Sequence, residues 1–197
     1  MKVIGFTGNY AGRAGQSAPL PPQCYLMADS SILYTGRPFF IPDWAERFEA
    51  VPAIAVRTGR LGKCIAPKFA HRYWDALTAC LAVRAMGSDE PSLLALDRAM
   101  DGAAVVGEWV EAASLDDPMQ AVVEVKAGET VLSRCCLADM APLALDEMLA
   151  RVSTRCSIKM GDLLVTGECG EARTLAPGDR LTATVDGRPV LDVKVRL

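Results

Sequence analysis

Apolar and polar positions alternate with two periods along this chain. Val3 to Phe6 is a short apolar run that reads as a strand over Met1–Phe6. Cys24 to Leu33 resumes apolar character, Gly36-Arg37-Pro38 marks a turn, and Phe39-Phe40-Ile41 starts another strand. Ile54 to Val56 is a third apolar run. Ala66 to Trp74 fits a short helix with Phe69 and Tyr73 on one face. Ala76 to Val83 is continuously apolar, so period alone leaves strand and helix both open. Gly87 to Pro91 breaks the chain, and Leu93 to Met100 carries a helical pattern. Ala121 to Val125, a turn at Gly128 and Thr130 to Leu132 read as a hairpin. Leu145 to Val152 follows Pro142 as a short amphipathic helix. The last forty or so residues are strands between turns: Leu163 to Val165, Pro177-Gly178-Asp179, Leu181 to Val185, then Asp186-Gly187 and Val190 to Val195. Asp-Gly between two alternating runs favours a two-residue hairpin. The pattern predicts many strands and few helices.

Composition narrows the functional classes. The 197 residues suffice for one domain with its own core, and 51% hydrophobic with 23% charged residues is an ordinary globular balance. Formal net charge is −3, with acids and bases interspersed, so nucleic-acid binding is not expected. The apolar run at the N-terminus is too short for a signal peptide, and no stretch approaches the ~18 apolar residues of a membrane span. The seven cysteines form no Cys-x-x-Cys pair and read as thiols of a reducing, cytoplasmic protein.

Local motifs carry little chemistry. Gly8, Gly12 and Gly15 follow a strand, but their spacing is not that of a dinucleotide loop, and Pro19, Pro21 and Pro22 are poor helix material. His71 is the single histidine and reads as a surface or packing residue. Adjacent Cys135 and Cys136 point to opposite sides of a strand and make a poor metal pair.

The closing block is more specific. Ile158-Lys159-Met160-Gly161-Asp162-Leu163-Leu164-Val165-Thr166-Gly167 leads to Leu175-Ala176-Pro177-Gly178-Asp179-Arg180-Leu181. Upstream stand Phe39-Phe40-Ile41-Pro42-Asp43, Arg60-Leu61-Gly62-Lys63, Phe69-Ala70-His71-Arg72-Tyr73 and Asp101-Gly102. In order and spacing these motifs resemble a short branch of the fumarylacetoacetate hydrolase family over nearly the whole chain. The resemblance implies a β-rich α+β fold, a rolled mixed sheet with a few short helices, as a single domain over 1–197. It also implies a homodimer, or a heterodimer with an intact family paralogue.

Family enzymes hold Mg²⁺, Mn²⁺ or Ca²⁺ through a Glu-x-Glu pair and a later Asp, and act on small 2-oxo acids as hydrolases, isomerases or decarboxylases. Strand alternation puts both glutamates on one face, and hard cations take several oxygen ligands. Here the Glu-x-Glu slot falls on Val51-Pro52-Ala53 and the Asp slot on Ala82. No metal cofactor is therefore expected. The family's Asn-Tyr is matched by Asn9-Tyr10, its histidine by Arg13, one lysine by Met27 and another by Arg98, and its Thr-Gly-Thr loop by Thr166-Gly167-Glu168. The resemblance thus makes Asn9, Tyr10, Arg13, Arg98, Thr166 and Gly167 the ligand-binding candidates, with a small carboxylate as ligand, since arginine suits carboxylates. Glu49, Glu168 and Arg98 are the candidates for any remaining catalysis. The expectation is a degenerate metal site in a pseudoenzyme. The alternative is an active hydrolase or isomerase with metal-free or relocated-metal chemistry on acylpyruvate-like substrates.

Overall fold

A computed structural model describes residues 1–10, 21–87 and 93–197, apart from the side chain of Leu94. Its strands are β1 (Val3–Thr7), β2 (Gln23–Met27), β3 (Ile32–Tyr34), β4 (Phe39–Phe40), β5 (Arg47–Thr58), β6 (Trp74–Met86), β7 (Ala104–Val106), β8 (Val110–Glu111), β9 (Val123–Ala127), β10 (Thr130–Cys135), β11 (Leu163–Glu168), β12 (Arg173–Thr174), β13 (Arg180–Val185) and β14 (Arg188–Arg196). The α-helices are α1 (Leu94–Asp97) and α2 (Leu145–Arg155).

Among the described residues the strands form two sheets. The larger runs β2-β1-β11-β5-β6-β7-β3, with β12 added to β5 and β8 to β6; the smaller runs β10-β9-β13-β14-β4. Both are mixed: β1 pairs with β11, β3 with β7 and β14 with β4 in parallel, and the other pairings are antiparallel. One apolar core joins them. Ile54 and Leu77 from the large sheet, Val125 and Leu181 from the small one, and Met148 and Leu149 from α2 belong to the same buried cluster. A second cluster lies around Val3, Ala53, Ala55, Cys80, Leu163 and Val165. This is the β-rich α+β fold with a curled mixed sheet that the sequence implied.

The long hairpin β5–β6 is the spine. The run Ala76–Val83 is the middle of β6, because β5 offers a full antiparallel ladder to it. The helix expected over Ala66–Trp74 is a shorter 3-10 segment, Pro67–Arg72, and Trp74 already opens β6. Pro67 suits a helical first turn. The Tyr73 carbonyl, however, accepts from Gly59 N and commits the chain to extended structure. The helical pattern over Leu93–Met100 yields only the single turn α1, whereas the helix after Pro142 runs on to Arg155. At the Asp186-Gly187 turn both residues have positive φ, 47° and 78°, as a two-residue primed turn demands.

Candidate functional site

Register on the β5–β6 hairpin decides where the expected ligand slots lie. Val51 pairs with Ala82, Ala53 with Cys80 and Glu49 with Arg84. Directly opposed residues of an antiparallel pair share a face. The three slots are therefore neighbours on one patch of sheet, as a metal triad would require. Their chemistry does not fit a metal. Val51, Ala53 and Ala82 are all buried and carry no side-chain oxygen, whereas Mg²⁺, Mn²⁺ or Ca²⁺ needs several. Cys80 lies beside them, and burial pushes its thiol up to about 12, which keeps it a neutral part of the same apolar floor.

Pro52 would interrupt a central ladder, since it has no N–H to give. The structure removes the demand. The register of β11 on β5 shifts between Val165 and Glu168. Within that shift the Ile54 carbonyl accepts from the Thr166 hydroxyl at 3.0 Å. The Pro52 carbonyl accepts from Cys169 N at 2.8 Å. Gly167 takes φ +132°, and a Cβ on it would lie 3.0 Å from the Asn9 Cβ. The Thr166-Gly167 bulge is thus what lets proline stand in the middle of β5.

The same shift brings Glu168 opposite Ala53, onto the slot face. There Arg84 bridges two carboxylates. Its Nη2 and Nε donate to Glu49 Oε2 at 2.9 and 3.2 Å, and its Nη1 donates to Glu168 Oε1 at 3.4 Å. Arg47 Nε donates to Glu49 Oε1 at 3.3 Å. Burial works against the Glu49 charge, but the hydrogen bonds and charges of Arg84 and Arg47 outweigh it and lower its pKa. The two glutamates singled out from the sequence do meet, on a shared guanidinium. Among the described residues no group of three His, Cys, Asp or Glu is placed to hold a metal ion.

Asn9, Tyr10, Thr166 and Gly167, four of the ligand-binding candidates, lie together. Asn9 Nδ2 donates to the Leu143 and Thr166 carbonyls at 2.9 and 3.2 Å, and its Oδ1 accepts from Leu143 N at 3.0 Å. Tyr10 OH and Thr166 Oγ1 are 2.9 Å apart. Thr166 gives its one hydrogen to Ile54, so Tyr10 is the donor of that pair. All three side chains are buried, and these bonds lie within the protein. The cluster latches β1 to β11 and to the segment before α2. Burial, chiefly, raises the Tyr10 pKa well above the usual phenol value.

Arg98 is exposed, at the end of α1, and its guanidinium carbon lies 5.2 Å from the centre of the Tyr25 ring. Arg13 lies outside the described residues. Tyr25 is a site-face residue that the sequence did not disclose. Burial raises its pKa to about 12, Arg98 opposes that rise, and Cys80 and Glu168 add to it. The phenol therefore stays protonated, a hydrogen-bond donor near Arg98 and Glu168. Gly5 was the available signal. A Cβ there would lie 2.3 Å from the Tyr25 ring, and glycine inside a strand often marks such a close approach. Met27, in the slot of a family lysine, is buried opposite Val3 in the second apolar cluster. His71 is exposed.

Comparisons with known proteins bear on the fold and the family. No curated protein sequence matches the chain. Among solved structures it superposes on fumarylpyruvate hydrolase from Pseudomonas aeruginosa, determined in complex with Mn²⁺ and pyruvate. The TM-score is 0.87 at 17% identity, over 100% of this chain and 90% of that one. It is similarly close to 5-carboxymethyl-2-hydroxymuconate delta-isomerase from Mycobacterium smegmatis, with TM-score 0.84 at 22% identity over 99% and 78% of the two chains. At these identities the likeness shows the fold. The sequence profile described as fumarylacetoacetate (FAA) hydrolase C-terminal matches residues 2–196. That match covers every strand and helix described above, and the chain belongs to the fumarylacetoacetate hydrolase family.

Proposed function

We propose that this chain is a family member that has given up divalent-metal chemistry on 2-oxo acids and retains a site for a small carboxylate. One observation carries the reading. The three slots for metal ligands are adjacent on one sheet face, and all three hold buried apolar side chains. The carboxylates nearest to them, Glu49 and Glu168, are engaged by Arg84. Among the described residues, Arg98 and the protonated Tyr25 lie together and suit a carboxylate. No helix is long and apolar enough to cross a membrane among the described residues. We further propose assembly through the family's dimer surface, as a homodimer or with an intact paralogue, which sedimentation analysis would test.

Calorimetric titration with Mn²⁺ and Mg²⁺ is the direct test, run beside turnover assays on acylpyruvates and oxaloacetate. The reading expects neither stoichiometric metal binding nor turnover. Stoichiometric binding accompanied by turnover would overturn it.

A second reading makes the chain an active enzyme of altered chemistry, with Glu49 and Glu168 as its acid–base pair. In its favour, the two carboxylates share one guanidinium on the slot face. Against it, Glu49 is held below the usual carboxylate range and is a weak base. Turnover of an acylpyruvate in excess chelator, abolished by Glu168→Gln, would establish it.

A further inference from the structure

The segment that follows Glu168 is pinned from two sides. Cys169 N donates to the Pro52 carbonyl of β5 at 2.8 Å. The Cys169 carbonyl accepts from Ser133 Oγ of β10 at 2.7 Å. The next residue is glycine for a steric reason. A Cβ on Gly170 would lie 2.5 Å from the Ser133 Cβ and 2.7 Å from the Leu132 carbonyl oxygen. Glu171 N then donates to that same carbonyl at 3.0 Å. The chain is thus pressed against β10 over three successive residues. Cys135 stands two residues beyond Ser133 on β10, on the same side of the strand. Its Sγ lies 2.8 Å from the Sγ of Cys169. That separation is short for non-bonded sulfurs and longer than the ~2.05 Å of a disulfide bond. Both side chains are buried, in the wall behind Thr166 and Tyr10.

We propose that Cys135 and Cys169 form a reversible disulfide that fastens the Glu168 loop of the candidate site to the second sheet. The hydrogen bonds made by the Cys169 N–H to Pro52 and by the Ser133 hydroxyl to the Cys169 carbonyl hold the two sulfurs together, so bond formation needs no rearrangement of the strands. A hydroperoxide is the oxidant class. One thiol, as its thiolate, attacks the peroxide oxygen; the O–O bond breaks, and a sulfenic acid and an alcohol or water result. The second thiolate attacks the sulfenic sulfur, the S–S bond forms and water leaves. Two thiols lose two electrons and two protons in all, and the peroxide gains them. A dithiol reverses the reaction by exchange. The consequence falls on the site. Cys169 is bonded to Glu168, and the cross-link would fix the loop that carries this carboxylate to Arg84.

The test uses the full chain with Cys24, Cys64 and Cys156 changed to serine, which removes the more accessible thiols while leaving the buried pair. The protein is treated with dilute hydrogen peroxide, alkylated, digested and mapped by mass spectrometry. The expected product is a peptide joining Cys135 to Cys169, lighter than its reduced parts by two hydrogen atoms and released by dithiothreitol. The oxidised protein should also melt higher than the reduced one. Cys135→Ala and Cys169→Ala should each abolish both effects. Recovery of both residues alkylated, or each separately converted to sulfinic acid with no joined peptide, would overturn the proposal. So would a cross-link of Cys169 to Cys136, or a joined peptide with no rise in melting temperature.

Discussion

Two neighbouring parts of the large sheet have met different fates. The latch of Asn9, Tyr10 and Thr166 keeps the residues expected of the family, and each polar group has a partner inside the protein. The floor of Val51, Ala53 and Ala82 keeps none of the expected chemistry, yet is packed and buried. The two regions touch, since Thr166 bonds to the carbonyl of Ile54, next to Ala53. The difference separates two kinds of constraint. Unpartnered backbone and amide groups in the interior cost stability in every relative, whatever the reaction. Metal-ligating carboxylates matter only while a metal is bound. Without one, three buried carboxylates crowded on one face destabilise the fold, and apolar replacements relieve that cost.

The strongest way to break this contrast is to put the carboxylates back. Val51→Glu, Ala53→Glu and Ala82→Asp together would bury three acids on adjacent positions. Each uncompensated charge is worth about 3–5 kcal/mol against folding. Since a domain commonly holds only about 5–15 kcal/mol, the apo variant should be largely unfolded or melt far below the wild type. Mn²⁺ should offset part of that loss, because a ligand at about 100 times its Kd adds about 2.7 kcal/mol. Thermal melts with and without Mn²⁺ read both effects. A variant destabilised to the same extent with and without the metal would show that these positions do not converge on a cation.

The next effect tests the latch. Asn9→Ala removes an amide that makes three hydrogen bonds in the interior and strands Leu143 N, Leu143 O and the Thr166 carbonyl. The loss should be about 3–5 kcal/mol, visible as a lower urea midpoint. A change below about 1 kcal/mol would mean that water replaces the amide, and the latch would not be a structural constraint.

How much of this was legible in the sequence follows the range of the contacts. The slots at 51, 53 and 82 were assigned through the resemblance, and only the register of β5 on β6 shows that the three positions are neighbours. Asp186-Gly187 and Gly128 announced their hairpins through backbone preference alone. The latch was visible as motifs, although its internal bonding was not. Arg84 escaped notice because its meaning lies in partners far along the chain, Glu49 across the hairpin and Glu168 from β11. Tyr25 escaped because only the register of β2 on β1 sets it over Gly5. The 66–74 segment misled because Pro67 and the aromatic spacing suit a helix, while the bond from Gly59 N to the Tyr73 carbonyl is a tertiary fact.

A charged anchor at the other end of β11 sharpens the contrast by titrating. Asp162 is buried and accepts from Lys2 N and Lys159 N, each at 2.8 Å, and from Lys2 Nζ. Burial raises its pKa, but these hydrogen bonds outweigh that and lower it overall. The sign follows: the folded state binds this proton less readily than the unfolded chain, whose Asp titrates near ~3.9. The anchor's contribution is complete above that value and is lost as pH falls through the folded-state pKa. Asp162→Asn should cost about 2–3 kcal/mol at pH 7, and the gap to the wild type should narrow on acidification. Urea midpoints from pH 7 to pH 3 test it; a gap constant with pH would refute the assignment.

The smallest expected effect lies within the latch itself. Tyr10→Phe deletes the donor to Thr166 Oγ1 but leaves no donor stranded, because Thr166 still gives its hydrogen to the Ile54 carbonyl. Only an acceptor lone pair loses its partner, and the ring continues to fill its place. The cost should therefore be about 0.5–1.5 kcal/mol, well below that of Asn9→Ala. Thr166→Val, by contrast, strands both the Tyr10 hydroxyl and the Ile54 carbonyl and should exceed Tyr10→Phe. A reversed order would mean that the phenol, rather than the threonine, carries the latch.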